Sequence, residues 1–262
     1  MDGDRSGRVQ SVERAVRLLT ALGRSEGGYR LTDLARQTGL SLTTAHRLLT
    51  TLEQSHFVQF SQKDNIWHVG VAAFAVGSAY SRDRNFVASA MPFLRRLRDQ
   101  TRETVNLGIV EDDEIVVVSQ VASREINRAI AAIGGRTPIA ASGMGKAVLS
   151  SYSSYDIDAL IQRKGLRQST AKSLTSPAAL RAEISTGSVN GYFIDDEEYR
   201  AGVRCVAAPV FDSSGEVVCA ISVSGIASRI PSERIASLGH AVQQAAAQIS
   251  ACCQGRTGKV PS

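Results

Sequence analysis

The sequence predicts an α+β protein with two domains, an N-terminal winged helix-turn-helix and a larger mixed domain around a central antiparallel sheet. Three observations predict this fold. Amphipathic helical patterns fill most of residues 11–52, a hairpin pattern follows at 57–69, and strand patterns alternate with helices from residue 86 onward. We therefore divide the 262-residue chain into a winged helix-turn-helix domain at 1–69, a linker helix at 70–85, a mixed domain at 86–253 and a tail at 254–262 that we expect to be disordered.

Residues 31–49, LTDLARQTGLSLTTAHRLL, have the pattern of a helix-turn-helix. Thr32 is the expected N-cap of the first helix, and Gly39 supplies a left-handed position at which that helix ends. Ser41 is the expected N-cap of the second helix. The inner faces of the two helices are predicted to consist of Leu34, Ala35, Ala45, Leu48, Leu49 and Leu52.

The outer face of the second helix carries short polar and cationic side chains. Such groups bind phosphates and the edges of bases when a helix enters the major groove. The alternative is that these are ordinary amphipathic helices, joined by a glycine turn, that do not bind DNA. The flanking helix and hairpin argue against this alternative. We predict DNA contacts from Ser41, Thr43, Thr44, His46 and Arg47.

A further helix and a hairpin flank the helix-turn-helix. Residues 11–22, SVERAVRLLTAL, form an amphipathic pattern with Ser11 as the expected cap. Residues 57–69 predict two short strands around a turn, which is typical of the wing in a winged helix-turn-helix. Lys63 in that turn is predicted to lie near a DNA phosphate, although a turn lysine is more often only solvated. Trp67 is expected to pack in the core rather than stack on a base. The inner face of the first helix is predicted to be Val12, Ala15, Val16, Leu19 and Leu22.

Residues 70–85, GVAAFAVGSAYSRDRN, predict a linker helix with an apolar stripe. A DNA-binding protein can pack such a stripe against the same helix of a second protomer, and a two-fold dimer can read a palindromic operator. The alternative is that the stripe packs on its own domain. We expect a homodimer or a dimer of dimers. The stripe consists of Val71, Phe74, Ala75 and Ser78.

The second domain alternates helices and strands, which indicates an α+β sensor domain with a central antiparallel sheet. Its predicted elements are a helix near Val87–Thr101, strands at Val105–Val110, Glu114–Val121, Cys205–Phe211 and Val217–Val223, a hairpin turn at Asp212–Gly215 and a closing helix at Ser232–Cys252.

Charge and cysteine content exclude several classes of protein. The net charge of +5 permits a polyanionic partner but does not locate its surface, since residues 1–70 contain 9 Lys and Arg against 7 Asp and Glu. Arg5 and Arg8 are further candidates for DNA contacts.

Neither a secretion leader nor an apolar run of about 18 residues is present, which favours a cytoplasmic protein without a membrane partner. The four cysteines form no CxxC pair and have no histidine at metal-ligand spacing, so we expect no disulfide framework, metal or cofactor.

Three further motifs lie in the second domain: PIAASGMGKAVLS at 138–150, GYFIDDEEYRAGVRCVAAPVFD at 191–212 and AISVSG at 220–225. With the helix-turn-helix and the wing that ends in WHVG, they make the chain resemble the IclR family of transcriptional regulators over nearly its whole length. Within that family the chain is similar to the glyoxylate-responsive repressors of allantoin and glyoxylate metabolism. The resemblance implies a GAF-like effector-binding domain, operator binding as a dimer or tetramer, and control of that binding by a small metabolite.

A candidate effector pocket can be argued from the residues. Gly143 and Gly145 bracket Met144 before a helical segment, so backbone N–H groups there can point at a small carboxylate. Met144 is large for a pocket floor and favours a small effector. Ser222 and Ser224 alternate on a strand, so both hydroxyls face the same side.

Asp195 and Cys205 correspond to the remaining ligand shell of the glyoxylate-sensing relatives. An Asp repels an anionic ligand unless the ligand donates a hydrogen bond, as a hydroxyl or an aldehyde hydrate does. We therefore favour a small oxo- or hydroxy-carboxylic acid such as glyoxylate, with a sugar acid, semialdehyde or aromatic acid as the alternative. Without the resemblance, all of these residues can also be interpreted as ordinary strand, core or turn residues.

The sequence leaves two alternatives to a metabolite-controlled regulator, an enzyme and an architectural DNA-binding protein. A nucleotide-using enzyme is suggested by SGMGKA, but a phosphate-binding loop requires Gly at Ala140 and Ser or Thr at Ala147. No HExxH or GxSxG motif is present, so we expect no enzymatic activity. The second alternative is an architectural DNA-binding protein whose affinity does not respond to metabolites.

Overall fold

The computed structural model describes residues 9–25, 27–83, 85–124 and 132–254. By their contacts these residues fall into two compact units, and the chain passes from one to the other between Arg84 and Asn85. Of the predicted tail at 254–262, Gln254 belongs to the last helix, and the rest lies outside the described residues, as do the candidate contacts Arg5 and Arg8. The N-terminal unit contains α1 (Gln10–Leu22), α2 (Leu31–Thr38), α3 (Leu42–Gln54), β1 (Val58–Ser61), β2 (Ile66–Val69) and α4 (Val71–Asp83).

The turn of the helix-turn-helix forms as Gly39 and Ser41 predict. Ser41 Oγ accepts a hydrogen bond from the Thr44 N–H over 3.2 Å at the start of α3, and Gly39 ends α2 with a φ of 65°. Two predicted caps were wrong. Helix α2 begins after Arg30 rather than Thr32, and α1 begins after Val9 rather than Ser11, with no side-chain cap in either case.

The three helices and the hairpin enclose one apolar core. Trp67 is 4% exposed and packs beside Phe60 with ring centroids 4.9 Å apart, which confirms a packing role for the tryptophan. The predicted inner face of α1 was partly wrong, because Val12 and Val16 are exposed. The face of α1 that points into the core instead contains Leu18 and Leu22, which are one helical turn apart. The buried core residues are Leu18, Leu22, Leu34, Ala35, Ala45, Leu49, Val58 and Trp67.

Helix α4 follows the hairpin and exposes most of its apolar side chains. Val71 is 71% exposed and Phe74 is 74% exposed. The predicted stripe is therefore uncovered at Val71, Phe74 and Ala75, whereas Ser78 is half-buried.

The C-terminal unit is a six-stranded antiparallel sheet with helices on both faces, which confirms the predicted α+β class. The strand order is β5-β4-β3-β8-β7-β6. The strands are β3 (Thr104–Glu111), β4 (Glu114–Val121), β5 (Arg136–Pro138), β6 (Phe193–Asp196), β7 (Val203–Phe211) and β8 (Val217–Ile226). The helices are α5 (Asn85–Thr101), a 3-10 turn at Ile139–Ala141, α6 (Gly143–Leu149), α7 (Ser154–Lys164), α8 (Pro177–Asn190) and α9 (Ser232–Gln254).

Each face of the sheet has its own core. Helices α5 and α9 cover one face, where Leu107, Val206 and Ile221 are buried. Helices α6, α7 and α8 enclose the core of the other face, which includes Ala207 and Ala220. Because side chains alternate between faces along a strand, the even-numbered positions of β8 from Ala220 onward and the odd-numbered positions of β6 and β7 point toward α6. Several of these positions are polar.

Candidate functional site

The outer face of α3 presents the residues predicted to contact DNA. Ser41, Thr43, His46 and Arg47 are exposed, and Thr44 is half-buried. Helix α3 buries Ala45 and Leu49 on its other side. The helix therefore offers its polar face to solvent in the way that insertion into a major groove requires.

A cleft of about 560 Å³ lies beside this face, between the start of α2, α3 and the β1–β2 hairpin. His46 and Asn65 line it, and so do Arg30 and Thr32. The last two were not predicted as DNA-facing residues, although a cation and a hydroxyl at a helix start are typical of phosphate contacts. Lys63 is exposed in the hairpin turn but is not among the residues that line the cleft.

Strand register gathers the predicted effector residues on the α6 side of the sheet. Asp195 on β6 pairs with Cys205 on β7, and Cys205 pairs with Ser224 on β8. Ser222 lies two positions away on the same face, 3.3 Å from Ser224 between hydroxyl oxygens. Asp195, Ser222 and Ser224 are 5%, 1% and 2% exposed.

Helix α6 begins directly above this row. A Cβ added to Gly143 would lie 3.3 Å from the Ala207 Cβ and 3.5 Å from the Asp195 nitrogen. The Met144 side chain lies over Gly108 of β3, where an added Cβ would be 3.1 Å from its sulfur. Both residues therefore lie close to the polar row.

Gly145 has a different environment. Its N–H donates to Ser142 Oγ over 3.0 Å, and an added Cβ would lie 1.8 Å from the Ile139 carbonyl oxygen. The glycine is required by this close packing against the 3-10 turn, and its predicted contact with an effector stays a prediction.

Burial changes the acidity of two groups in the row. Desolvation raises the pKa of Asp195 from 3.8 to about 7, with the neighbouring Glu198 carboxylate adding to the rise, while the Glu198 and Tyr199 N–H groups and Lys146 oppose it. Desolvation also raises the pKa of the Cys205 thiol, and the Asp195 charge raises it further. Near neutral pH the row therefore holds a neutral thiol and an aspartic acid close to half-protonation.

Lys146 follows the glycines and is fully buried. Its Nζ lies 2.6 Å from Glu198 Oε1 and 3.7 Å from Glu183 Oε2. Burial raises the pKa of Glu198, although the Lys146 charge lowers it. The ammonium group is thus held in an ion pair within the protein, which is unlike the exposed lysine of a phosphate-binding loop.

Two polar residues next to the row were missed in the sequence. Asn106 on β3 is 1% exposed, and its Nδ2 donates to Ser224 Oγ over 3.1 Å. Gln120 on β4 donates from Nε2 to Asn106 Oδ1 over 2.8 Å. The signal was available, since Asn106 alternates with Val105 and Leu107 in a predicted strand and a lone amide among buried apolar residues requires partners.

A cavity of about 740 Å³ in the C-terminal unit shares no residue with the predicted site. It lies between the end of α6, the end of α8, the outer part of β7 and the second half of α9. Among the described residues, no cluster of three or more His, Cys, Asp or Glu could hold a metal ion. Over the same residues, no helix is both long and apolar enough to span a bilayer.

Two family models match the chain. The model of the IclR helix-turn-helix domain matches residues 11–61. The model of the bacterial transcriptional regulator IclR C-terminal domain matches residues 78–251. Together the matches span both units.

Individual proteins show the same similarity. The chain is 40% identical to the acetate operon repressor of Salmonella typhimurium, over 94% of this chain and 90% of that protein. It is 35% identical to the HTH-type transcriptional repressor AllR of Escherichia coli K12, over 92% and 89%. A crystal structure of a regulator from Rhodococcus sp. RHA1 superposes with a TM-score of 0.78 at 28% identity, over 94% and 98%. The chain therefore belongs to the IclR family of transcriptional regulators, with an N-terminal DNA-binding domain and a C-terminal effector domain.

Proposed function

We propose that this regulator is a repressor whose affinity for its operator is controlled by a small oxo- or hydroxy-carboxylic acid such as glyoxylate. The observation that carries the proposal is the buried polar row on the α6 side of the sheet. Asp195, Cys205, Ser222 and Ser224 lie on three adjacent strands in register, and an apolar core surrounds them. A relative that is 40% identical is named as the repressor of the acetate operon, which is consistent with a role in the metabolism of small acids.

The chemistry of the row favours an effector with a carboxylate and a second polar group. The serine hydroxyls and the neutral Cys205 thiol can donate to a carboxylate. Asp195, with a pKa of about 7, can accept from a hydroxyl or donate to a carbonyl after protonation. These groups can bind glyoxylate or its hydrate at both ends. Because Asp195, Ser222 and Ser224 are almost fully buried and Cys205 is half-buried, a small ligand is favoured over a large one.

The DNA-binding unit supports operator recognition by a homodimer or a dimer of dimers. Helix α4 exposes Val71, Phe74, Val76 and Tyr80, and a stripe of this kind is typical of an interface between protomers. A two-fold pair of α3 helices would read two halves of a palindromic operator. We assign the base and phosphate contacts to Ser41, Thr43, Thr44, His46 and Arg47 of α3, with Lys63 of the hairpin.

Effector binding is tested by thermal denaturation of the full chain in the presence of glyoxylate, pyruvate, a sugar acid and 4-hydroxybenzoate. A ligand at about 100 times its Kd stabilises the folded state by about 2.7 kcal/mol, so glyoxylate is expected to raise Tm by several degrees. The increase should be smaller in Ser222→Ala and unchanged in Ser119→Ala, whose hydroxyl bonds to Met91 on the opposite face. Stabilisation by a different acid alone would reject glyoxylate as the effector.

DNA binding is tested on a duplex selected from random sequences with the full chain. Arg47→Ala is expected to weaken binding and to reduce the slope of log K against log salt concentration by about 1, since one phosphate contact is lost. The control is Lys164→Ala, which removes an exposed charge from α7. Equal affinities for the wild type and Arg47→Ala would contradict the assigned role. Glyoxylate that leaves the affinity of the wild type unchanged would instead indicate an architectural DNA-binding protein.

A further inference from the structure

We propose that Asn106, held in place by Gln120, is a positioning residue that makes the serine hydroxyls of the effector site donate hydrogen bonds to the ligand. This inference rests on the proposed function, since it concerns the same buried row. It specifies which end of the effector faces Ser222 and Ser224.

Two strand pairs bring three of these side chains side by side, and Ser224 lies two positions after Ser222 on the same face of β8. Asn106 pairs with Gln120 of β4 on one side and with Ser222 of β8 on the other. Side chains directly opposite each other on one face of antiparallel strands are close enough to interact. Gln120, Asn106, Ser222 and Ser224 therefore form one continuous polar path across three strands.

The distances give this path a direction. Gln120 Nε2 donates to Asn106 Oδ1 over 2.8 Å, so the Asn106 oxygen faces β4. The Asn106 Nδ2 then faces β8, where it lies 3.1 Å from Ser224 Oγ and 3.5 Å from Ser222 Oγ. An amide NH₂ only donates, so the serine oxygens act as its acceptors.

This direction leaves hydroxyl hydrogens available for a ligand. The serine oxygens are 3.3 Å apart, and a bond between them uses only one of the two hydrogens. The Cys205 thiol also bonds with the Ser224 hydroxyl, and when the thiol donates this bond, at least one hydroxyl hydrogen remains to donate to an acceptor in the site. A carboxylate only accepts hydrogen bonds, whereas a primary amide also donates. The path thus favours a carboxylate at the serine end of the site.

The proposal predicts a change of ligand preference, which a purely structural role would not produce. Glycolate and glycolamide have nearly the same shape, and they differ in charge and in whether the group at one end only accepts or also donates hydrogen bonds. The wild type should bind glycolate at least about tenfold more tightly than glycolamide. Asn106→Asp should shift this ratio by about tenfold or more toward glycolamide, because an aspartate makes the serine hydroxyls donate to it instead.

Gln120→Met separates hydrogen-bond direction from charge. Asn106→Asp also adds a negative charge that disfavours glycolate, whereas Gln120→Met adds none and removes the donor to Asn106 Oδ1. We expect the ratio of the two affinities, measured by calorimetry on the full chain, to fall several-fold in Gln120→Met and to stay at the wild-type value in Ser119→Ala.

Three results would overturn the proposal. A wild-type ratio in Gln120→Met would exclude the positioning role while leaving the proposed function intact. A similar fall of the ratio in Ser119→Ala would show that it reports general disturbance of the sheet. A wild type that binds neither glycolate nor glyoxylate would overturn the proposed function together with this inference.

Discussion

Replacing Asp195 by Asn tests the electrostatics of the proposed effector site without any ligand. The substitution keeps the shape of the side chain and an oxygen that can accept from the Glu198 N–H, now 2.8 Å from Asp195 Oδ1. It removes a carboxyl group whose pKa is raised from 3.8 to about 7, mainly by burial. The unfolded chain loses this proton near pH 4, and the folded chain keeps it until about pH 7.

The sign of the pH dependence follows from this difference. Between about pH 4 and pH 7 the folded state binds a proton that the unfolded state has released, so the stability of the wild type falls as pH rises and then levels off. At about 1.4 kcal/mol for each pKa unit, the full loss is on the order of 4 kcal/mol. Asp195→Asn lacks this loss. Its stability relative to the wild type should increase by about 2.5 kcal/mol between about pH 5 and pH 8.

The assay is urea denaturation of both proteins across this pH range. The single tryptophan, Trp67, lies in the N-terminal unit, so its fluorescence reports that unit, whereas circular dichroism reports both. The matched control is Asp196→Asn. Burial raises the pKa of Asp196, but Arg204 and Lys172 lower it by more than burial raises it, so the net shift is downward.

The control is therefore expected to differ from Asp195→Asn both in the sign of its effect and in its lack of pH dependence. Asp196→Asn should be destabilising by an amount that stays constant between about pH 5 and pH 8, because the aspartate is ionised in both states throughout. The reasoning is refuted if the stabilities of the wild type and Asp195→Asn run parallel across the range.

Three further predictions, two of them with control substitutions, test packing and assembly. Leu49→Ala should destabilise the N-terminal unit by about 2–5 kcal/mol, measured by tryptophan fluorescence in urea, since the side chain is fully buried. Gly145→Ala should destabilise the C-terminal unit by about 1–3 kcal/mol because its methyl group would meet a backbone carbonyl oxygen. The control Gly77→Ala, in open space on α4, should stabilise the protein by about 0.5–1 kcal/mol. Equal effects of the two substitutions would contradict the requirement for glycine at position 145. Phe74→Asp should lower the molar mass measured by sedimentation, whereas Tyr155→Asp, exposed on α7, should not; an unchanged mass for Phe74→Asp would remove α4 from the proposed interface.

The local elements of the fold could be predicted because their signals are local. The cap at Ser41, the left-handed Gly39 and the alternation along β8 each depend on a few neighbouring residues. The inner face of α1 was harder to predict. Its valines and leucines form two neighbouring apolar stripes along the helix. Which stripe is buried depends on where α2 and α3 pack.

The site could be predicted only in part because its partners are far apart in the sequence. Asp195 and the serines were identified through their motifs, yet the link from Asn106 to Ser222 spans 116 residues. Nothing near Asn106 in the sequence indicates which strand will lie beside it. Gly145 illustrates a second limit, since a glycine that a close backbone contact requires looks the same in sequence as one that a ligand requires.

The near-complete burial of Ser222 and Ser224 has a kinetic consequence. A ligand cannot reach hydroxyl groups that are 1% and 2% exposed until some of the covering atoms move. Ligand exchange is then limited by an opening step rather than by diffusion, and such motions take microseconds to milliseconds or longer. In rapid mixing, the observed rate of effector binding should therefore reach a plateau at high effector concentration, and the height of that plateau measures how often the site opens.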